Sequence, residues 1–211
     1  ALGTEQSAGT KILSICGDCA HPGIYELPFG VTVREVLELC GADEVLGVQV
    51  GGPSGTFISY EELDRKIAFE DLSTGGSFII FNKTRDIFAI AKNFTHFFAH
   101  ESCGFCTPCR VGTSLLKKQF DKIVDGHGSA GDVKALEELC DLVTQYSHCG
   151  LGQTAANPII HTLKRFPALY QAQLKNISYE PGFDLDASLE VARQLSGRED
   201  THAHLAQVGD E

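Results

Sequence analysis

Over roughly the first eighty residues apolar and polar positions alternate in short runs broken by glycine, and beyond Asn82 they recur at three- and four-residue intervals. The first period belongs to strands and the second to helices, so the pattern predicts a β-rich part followed by an α-helical part. Lys11 to Cys16 alternates and breaks at Gly17. Ile24 to Leu27, after His21-Pro22-Gly23, reads as its return strand, which makes a hairpin. Thr32 is placed to cap a short helix that puts Val33, Val36, Leu37 and Cys40 on one face and stops at Gly41. Leu46 to Val50 and Phe78 to Phe81 read as further strands. Between them lie the Gly51-Gly52-Pro53-Ser54-Gly55 turn and an irregular or helical connection over Asp64 to Asp71. A small sheet wrapped on one helix, a β-grasp arrangement, is the simplest closure.

Past Asn82, Ile87, Ile90, Ala91, Phe94, Phe97 and Phe98 form a wide apolar stripe on a helix from about Asp86 to His100. A second helix is announced by Thr107 as N-cap and Pro108 in its first turn, and runs through Leu115, Leu116, Phe120, Ile123 and Val124 to Gly126. A third, about Asp132 to Tyr146, buries Val133, Leu136, Leu139, Cys140 and Val143. The fourth follows a glycine-rich loop: Asn157-Pro158 opens it, Ile159, Ile160, Leu163 and Phe166 supply its inner face, and Pro167 kinks or restarts it. Short links between helices of these lengths predict an up-and-down four-helix bundle. The fold class is therefore α+β: a small β-grasp domain followed by a four-helix bundle. The domains expected are a linker over 1–10, the β-grasp part over 11–82, the helical part over 83–175 and an acidic tail over 176–211. The tail reads as a short helix with a polar, mobile end.

Composition narrows the function. At 43% hydrophobic and 21% charged residues the chain is an ordinary globular sequence, without an apolar run near the roughly 18 residues a spanning helix needs. Seventeen basic against 28 acidic residues, a net charge of −11, argues against a nucleic-acid surface or an anionic membrane as partner. Eight cysteines without a secretion signal point to a reducing, cytoplasmic setting. The small, polar start at Ala1 to Gly9, without Met, reads as the continuation of an upstream segment.

The cysteines carry the chemistry. Cys103, Cys106 and Cys109 form an unbroken C-x2-C-x2-C run in ESCGFCTPCR, and Cys149 follows at the end of the third helix in SHCGLGQ. Three thiolates at this spacing can cap three irons of one [4Fe–4S] cube from a single tight turn, leaving the fourth iron to a distant ligand. Cys109 lies in the first turn of its helix, where unpaired N–H groups and the positive dipole end suit an anionic cluster. The alternative is a zinc-stapled structural or binding module without a redox role. Zinc sites usually pair two separated two-ligand hooks, whereas these ligands divide three and one.

ESCGFCTPCRVG followed by CGLGQTAANPI resembles the C-terminal part of the flavin-carrying, NADH-oxidising subunit of respiratory complex I. It is similar also to the corresponding diaphorase subunits of NAD-reducing hydrogenases and NAD-dependent formate dehydrogenases. GTKILSICGDCAHPGIYELPFGVTVREVL resembles that family's soluble-ligand-binding β-grasp domain, so the resemblance covers about residues 3 to 175. It implies that Cys103, Cys106, Cys109 and Cys149 hold a [4Fe–4S] cluster that takes electrons from FMN, and that Glu101, Ser102, Gly104, Arg110 and Gly112 belong to the motif. It implies FMN and NAD in a larger upstream domain, no cofactor site for them in this stretch, and iron–sulfur subunits of such assemblies as partners.

Other residues weigh less. Gly126-His-Gly-Ser-Ala-Gly131 matches G-x-G-x-x-G, but a helix precedes it and no βαβ unit encloses it, so a helix–helix turn is expected. Cys16 and Cys19 are either a redox or metal pair or, with only two ligands, unpaired thiols in a strand turn. Cys40 and Cys140 read as apolar fillers. His96 and His100 have the spacing of a helical metal pair but no third ligand, so helix-surface or cap positions are expected. His148 either hydrogen-bonds a cluster sulfur or faces solvent.

Overall fold

The computed structural model describes residues 2–175 and 185–197. Ala1–Lys175 form one compact unit and Asn176–Glu211 a second. The first contains one five-stranded sheet, β1 (Thr10–Gly17), β2 (Gly23–Pro28), β3 (Val45–Val50), β4 (Thr56–Ser59) and β5 (Ser77–Asn82), in the order β2-β1-β5-β3-β4. All neighbours are antiparallel except β1 and β5, which run parallel from Ser14↔Ser77 to Gly17↔Ile80. Helix α1 (Val33–Cys40) starts at a capping box, Thr32 with Glu35, and ends at Gly41 in the left-handed conformation.

Strands β3, β4 and β5 are covered on both faces, which is what joins the two halves, whereas Ile12 of β1 stays exposed. Leu13 and Ile15 of β1, Val48 and Val50 of β3, Ile58 of β4 and Phe78 and Ile80 of β5 pack with Val33, Val36, Leu37 and Cys40 of α1. The alternate residues Leu46, Phe57, Ile79 and Phe81 pack with the helices that follow. Because successive side chains point to opposite faces, the unbroken apolar run Phe78 to Phe81 is the signature of a strand with a core on each side.

Those helices are α2 (Ile87–Glu101), α3 (Thr107–Lys122), α4 (Ala130–Tyr146), α5 (Gly150–Thr154), α6 (Asn157–Arg165) and α7 (Pro167–Gln173). Asp86 caps α2 through Phe88 N–H, and Ser129 and Asp132 form a capping box at α4. The G-x-G-x-x-G stretch is the turn between α3 and α4: a π-helical turn, Ile123–His127, closes with Gly126 at φ 75° and hands over to the α4 cap. Pro167 restarts the helix as α7. Along α6, three residues four apart clasp the β4 edge. Asn157 Nδ2 donates to Ser54 O at 2.8 Å, His161 Nδ1 accepts Phe57 N–H at 3.3 Å, and Arg165 pairs with Glu62.

The structure departs from the sequence reading at three places. β4 lies inside what reads as a turn and connection, because Phe57 and Ile58 face separate cores and leave no alternation. The glycine-rich stretch before α6 contains α5. Helix α3 is capped at Cys106, with Thr107 already inside it, and Pro108 is tolerated in the first turn because its missing N–H would have no helical partner there. The N-terminal segment is docked, with Ser7 buried and both Thr4 and Ser7 hydroxyls bonded to the Glu70 carboxylate.

The second unit contains helix α8 (Leu185–Ser196), whose Val191 and Leu195 are exposed. The polar end expected after it lies outside the described residues. Among the described residues no helix is long and apolar enough to cross a membrane.

Candidate metal centre

The site is built where two chain segments, the α2–α3 loop and the end of α4, meet. Helix α2 ends at Glu101 and releases Ser102 into an extended conformation. Gly104, at φ 78°, turns the chain back so that Cys106 can cap α3, and Cys109 falls in the first turn. From the far side α4 stops at Tyr146, Ser147 breaks it, and Cys149 opens α5. All four cysteines line one cavity of about 260 Å³, together with Glu101, Ser102, Phe105, His148 and Leu151. Cys109 is buried, Cys106 half-buried, and Cys103 and Cys149 exposed.

Hydrogen bonds fix this loop. The Arg110 guanidinium donates to Gly104 O at 2.7 Å, and Gly104 N–H points at Ser102 Oγ at 3.4 Å. Ser102 Oγ lies 3.2 Å from Cys109 Sγ. The backbone N–H of His148, with that of Cys109, reaches the Cys106 thiol and lowers its pKa from the ordinary value. His148 therefore meets the cysteines through its backbone, while its ring sits 5.6 Å from that of Phe105.

Two glycines make the convergence possible. A Cβ on Gly152 would fall 2.4 Å from Ser147 Oγ and 3.1 Å from the Cβ of Cys109, and one on Gly112 would fall 2.3 Å from Val143 Cγ2. Gly112 lets α3 approach α4, and Gly152 lets α5 fold onto the base of Cys109. Ser147 Oγ is buried there without a hydrogen-bond partner. The spatial role of Gly152 is invisible in sequence; its only signal is its place in CGLG.

Among the described residues, no three His, Cys, Asp or Glu side chains converge tightly enough to hold a single metal ion. All four cysteines border this one cavity, with Phe105 and Leu151 in its walls, and four thiols are a donor set that suits an iron–sulfur group.

The region of residues 89–173, which contains all four cysteines, matches the NADH-ubiquinone oxidoreductase-F iron–sulfur binding region. Residues 89–173 thus carry the iron–sulfur binding region of the complex I 51-kDa/diaphorase family. Among the chain's relatives is the NAD-reducing hydrogenase HoxS subunit alpha of Cupriavidus necator, 44% identical over 90% of this chain and 32% of that protein. Another is an NADH-quinone oxidoreductase subunit of Mycobacterium bovis, 34% identical over 83% of this chain and 42% of that protein. A crystal structure of an NAD+-reducing [NiFe]-hydrogenase in the H2-reduced state matches with a TM-score of 0.81 and 44% identity, over 97% of this chain and 36% of that one. The chain thus spans about a third of these hydrogenase-type diaphorase relatives.

The remaining sulfur and imidazole groups lie elsewhere. Cys16 is exposed on β1, and the Cys19 thiol is in hydrogen-bond contact with Cys40 rather than with Cys16. Cys40 and Cys140 are buried, and burial pushes their thiols up to about 11 and about 12. His96 Nε2 meets the Asp121 carboxylate at 3.0 Å and so ties α2 to α3, while His100 is exposed.

Proposed function

We propose that Cys103, Cys106, Cys109 and Cys149 hold one [4Fe–4S] cluster. On this reading the chain is the electron-transfer segment of an NADH:acceptor oxidoreductase, or diaphorase, subunit. The observation that carries the proposal is that four cysteines from two distant segments line a single cavity. When bound, the cluster supplies one-electron carriage between donor and acceptor.

The chain's own residues hold and shield that carrier. The Ser102–Cys106 loop, clamped by Arg110 on Gly104 O, presents three thiols, and Cys149 at the start of α5 supplies the fourth. The first turn of α3 directs N–H groups and positive dipole at the anionic sulfur. Phe105 and Leu151 line the cavity, and Cys103 and Cys149 lie near the surface, where electrons would enter or leave.

The wider assembly belongs to the same proposal. FMN and NAD would bind in the part of the full-length relatives beyond this chain's match, and the partners would be iron–sulfur subunits of a hydrogenase, formate dehydrogenase or complex I-type complex in the cytoplasm. Residues 1–10 would connect to that upstream part. Residues 11–82 would be a β-grasp domain, a reading supported by a mixed sheet with α1 across one face, and 83–175 a helical domain in which α2, α3, α4 and α6 form the four-helix bundle. The acidic tail would cover 176–211. A zinc-stapled module is disfavoured by the match of residues 89–173 to an iron–sulfur binding region.

The test is Cys149→Ser in anaerobically purified protein. Loss of most cluster iron and acid-labile sulfide is expected, and a fully retained four-iron cluster would overturn the ligand assignment.

A further inference from the structure

We propose that Ser102 is a positioning residue that sets the reduction potential of the cluster by donating a hydrogen bond to the Cys109 sulfur. The proposal rests on the ligand reading above and goes beyond it by giving a role to a residue outside the ligand set.

The geometry comes first. Ser102 Oγ lies 3.2 Å from Cys109 Sγ, within reach of an O–H···S bond. Between a hydroxyl and a free thiol either atom could donate. A cysteine that ligates iron is a thiolate and has no proton to give, so the hydroxyl must be the donor once the site is loaded. Gly104 N–H points at the same oxygen at 3.4 Å, which occupies a lone pair and leaves the hydroxyl hydrogen free to turn toward sulfur.

The position is not accidental to the fold. Ser102 is the first residue after α2 and is held extended, while Cys109 is fixed by α3 and is 5% exposed, the most enclosed of the four cysteines. A donor is therefore aimed at the ligand sulfur least able to find water. A hydrogen bond to a ligand sulfur stabilises the more negative state, so it favours the reduced cluster and raises its potential. Deleting it should lower the potential, and burial makes the effect larger than it would be at exposed Cys103.

The experiment is an EPR-monitored redox titration of the anaerobically purified wild type, Ser102→Ala and Ser102→Thr, with iron and sulfide counted in each. Iron content decides the ligand reading; the potential decides this one. At the ambient potential that half-reduces the wild type, Ser102→Ala should show a reduced-to-oxidised ratio about tenfold lower, equivalent to about 59 mV for one electron. Ser102→Thr, which keeps the hydroxyl, should return toward the wild-type ratio. A loaded Ser102→Ala protein with an unchanged ratio would overturn the proposal, as would a Thr variant displaced as far as Ala. Should the Ala variant lose its iron, Ser102→Val takes its place as the isostere of the Thr variant without its hydroxyl; it should show a comparable fall, and a wild-type ratio there would equally overturn the proposal.

Discussion

Gly152 rests on Cys109: a single added carbon at 152 would stand 3.1 Å from the cysteine's Cβ and 2.4 Å from Ser147 Oγ. The proposed cluster site is therefore closed from beneath by a backbone with no side chain. Gly152→Ala must push α5, and with it Cys149, away from the other three thiols. We expect this variant to fold but to retain substantially less iron than wild type after desalting. Equal iron retention would show that α5 can shift without disturbing Cys149.

Gly112 and Val143 make the same close approach one layer further into the bundle, at 2.3 Å for the added carbon. Gly112→Ala overpacks the α3–α4 contact and should cost about 1–3 kcal/mol in denaturant unfolding. Val143→Ala alone should cost about as much through the space it leaves. In the double variant each change relieves the other, so the summed cost should fall by at least about 1 kcal/mol. Strict additivity would contradict the packing assigned here.

Arg110 holds the cysteine loop by donating to Gly104 O at 2.7 Å. Arg110→Ala should leave the thermal transition within a few degrees of wild type, because the group is exposed. It should quicken iron loss to an external chelator several-fold. An unchanged rate would place loop stiffness elsewhere.

His161 makes the join between sheet and helices sensitive to pH. Burial, reinforced by the Arg165 charge, lowers its pKa from 6.5 to about 4, and its Nδ1 must stay unprotonated to accept Phe57 N–H. With a folded pKa below the unfolded one, the unfolded chain binds the extra proton first. Stability from this group is complete above about pH 6.5, falls as pH drops toward 4, and is gone below that. The loss should be at most about 3 kcal/mol. Titration of the carboxylates overlaps this window, so the check is the difference between wild type and His161→Gln in unfolding free energy from pH 7 to 4. Wild type should lose more, and parallel curves would exclude His161 as the sensor.

Much of this was legible in the sequence, for identifiable reasons. Val33, Val36, Leu37 and Cys40 repeat at helical spacing between a Thr32 cap and Gly41, and the helix they predict is α1. The cysteine run names its own chemistry, and the family match falls on it. What could not be read is what depends on distance. Phe57-Ile58 hides β4 because each residue faces a different core, and GLGQT reads as a loop because glycine masks the helical turn that brings Cys149 to the other cysteines. The C-x2-C of Cys16 and Cys19 leaves a pair and two unpaired thiols both open, and the contact of Cys19 with Cys40 is visible only in the fold. Ser102 matched the motif as a letter; only its 3.2 Å approach to Cys109 gives it a task.

The measurement that reaches the central claim most directly is iron, zinc and acid-labile sulfide analysis of anaerobically purified protein, with EPR of the dithionite-reduced sample. The account predicts about four irons and four sulfides per chain and the signal of a reduced cubane. Stoichiometric zinc without iron or sulfide would contradict it.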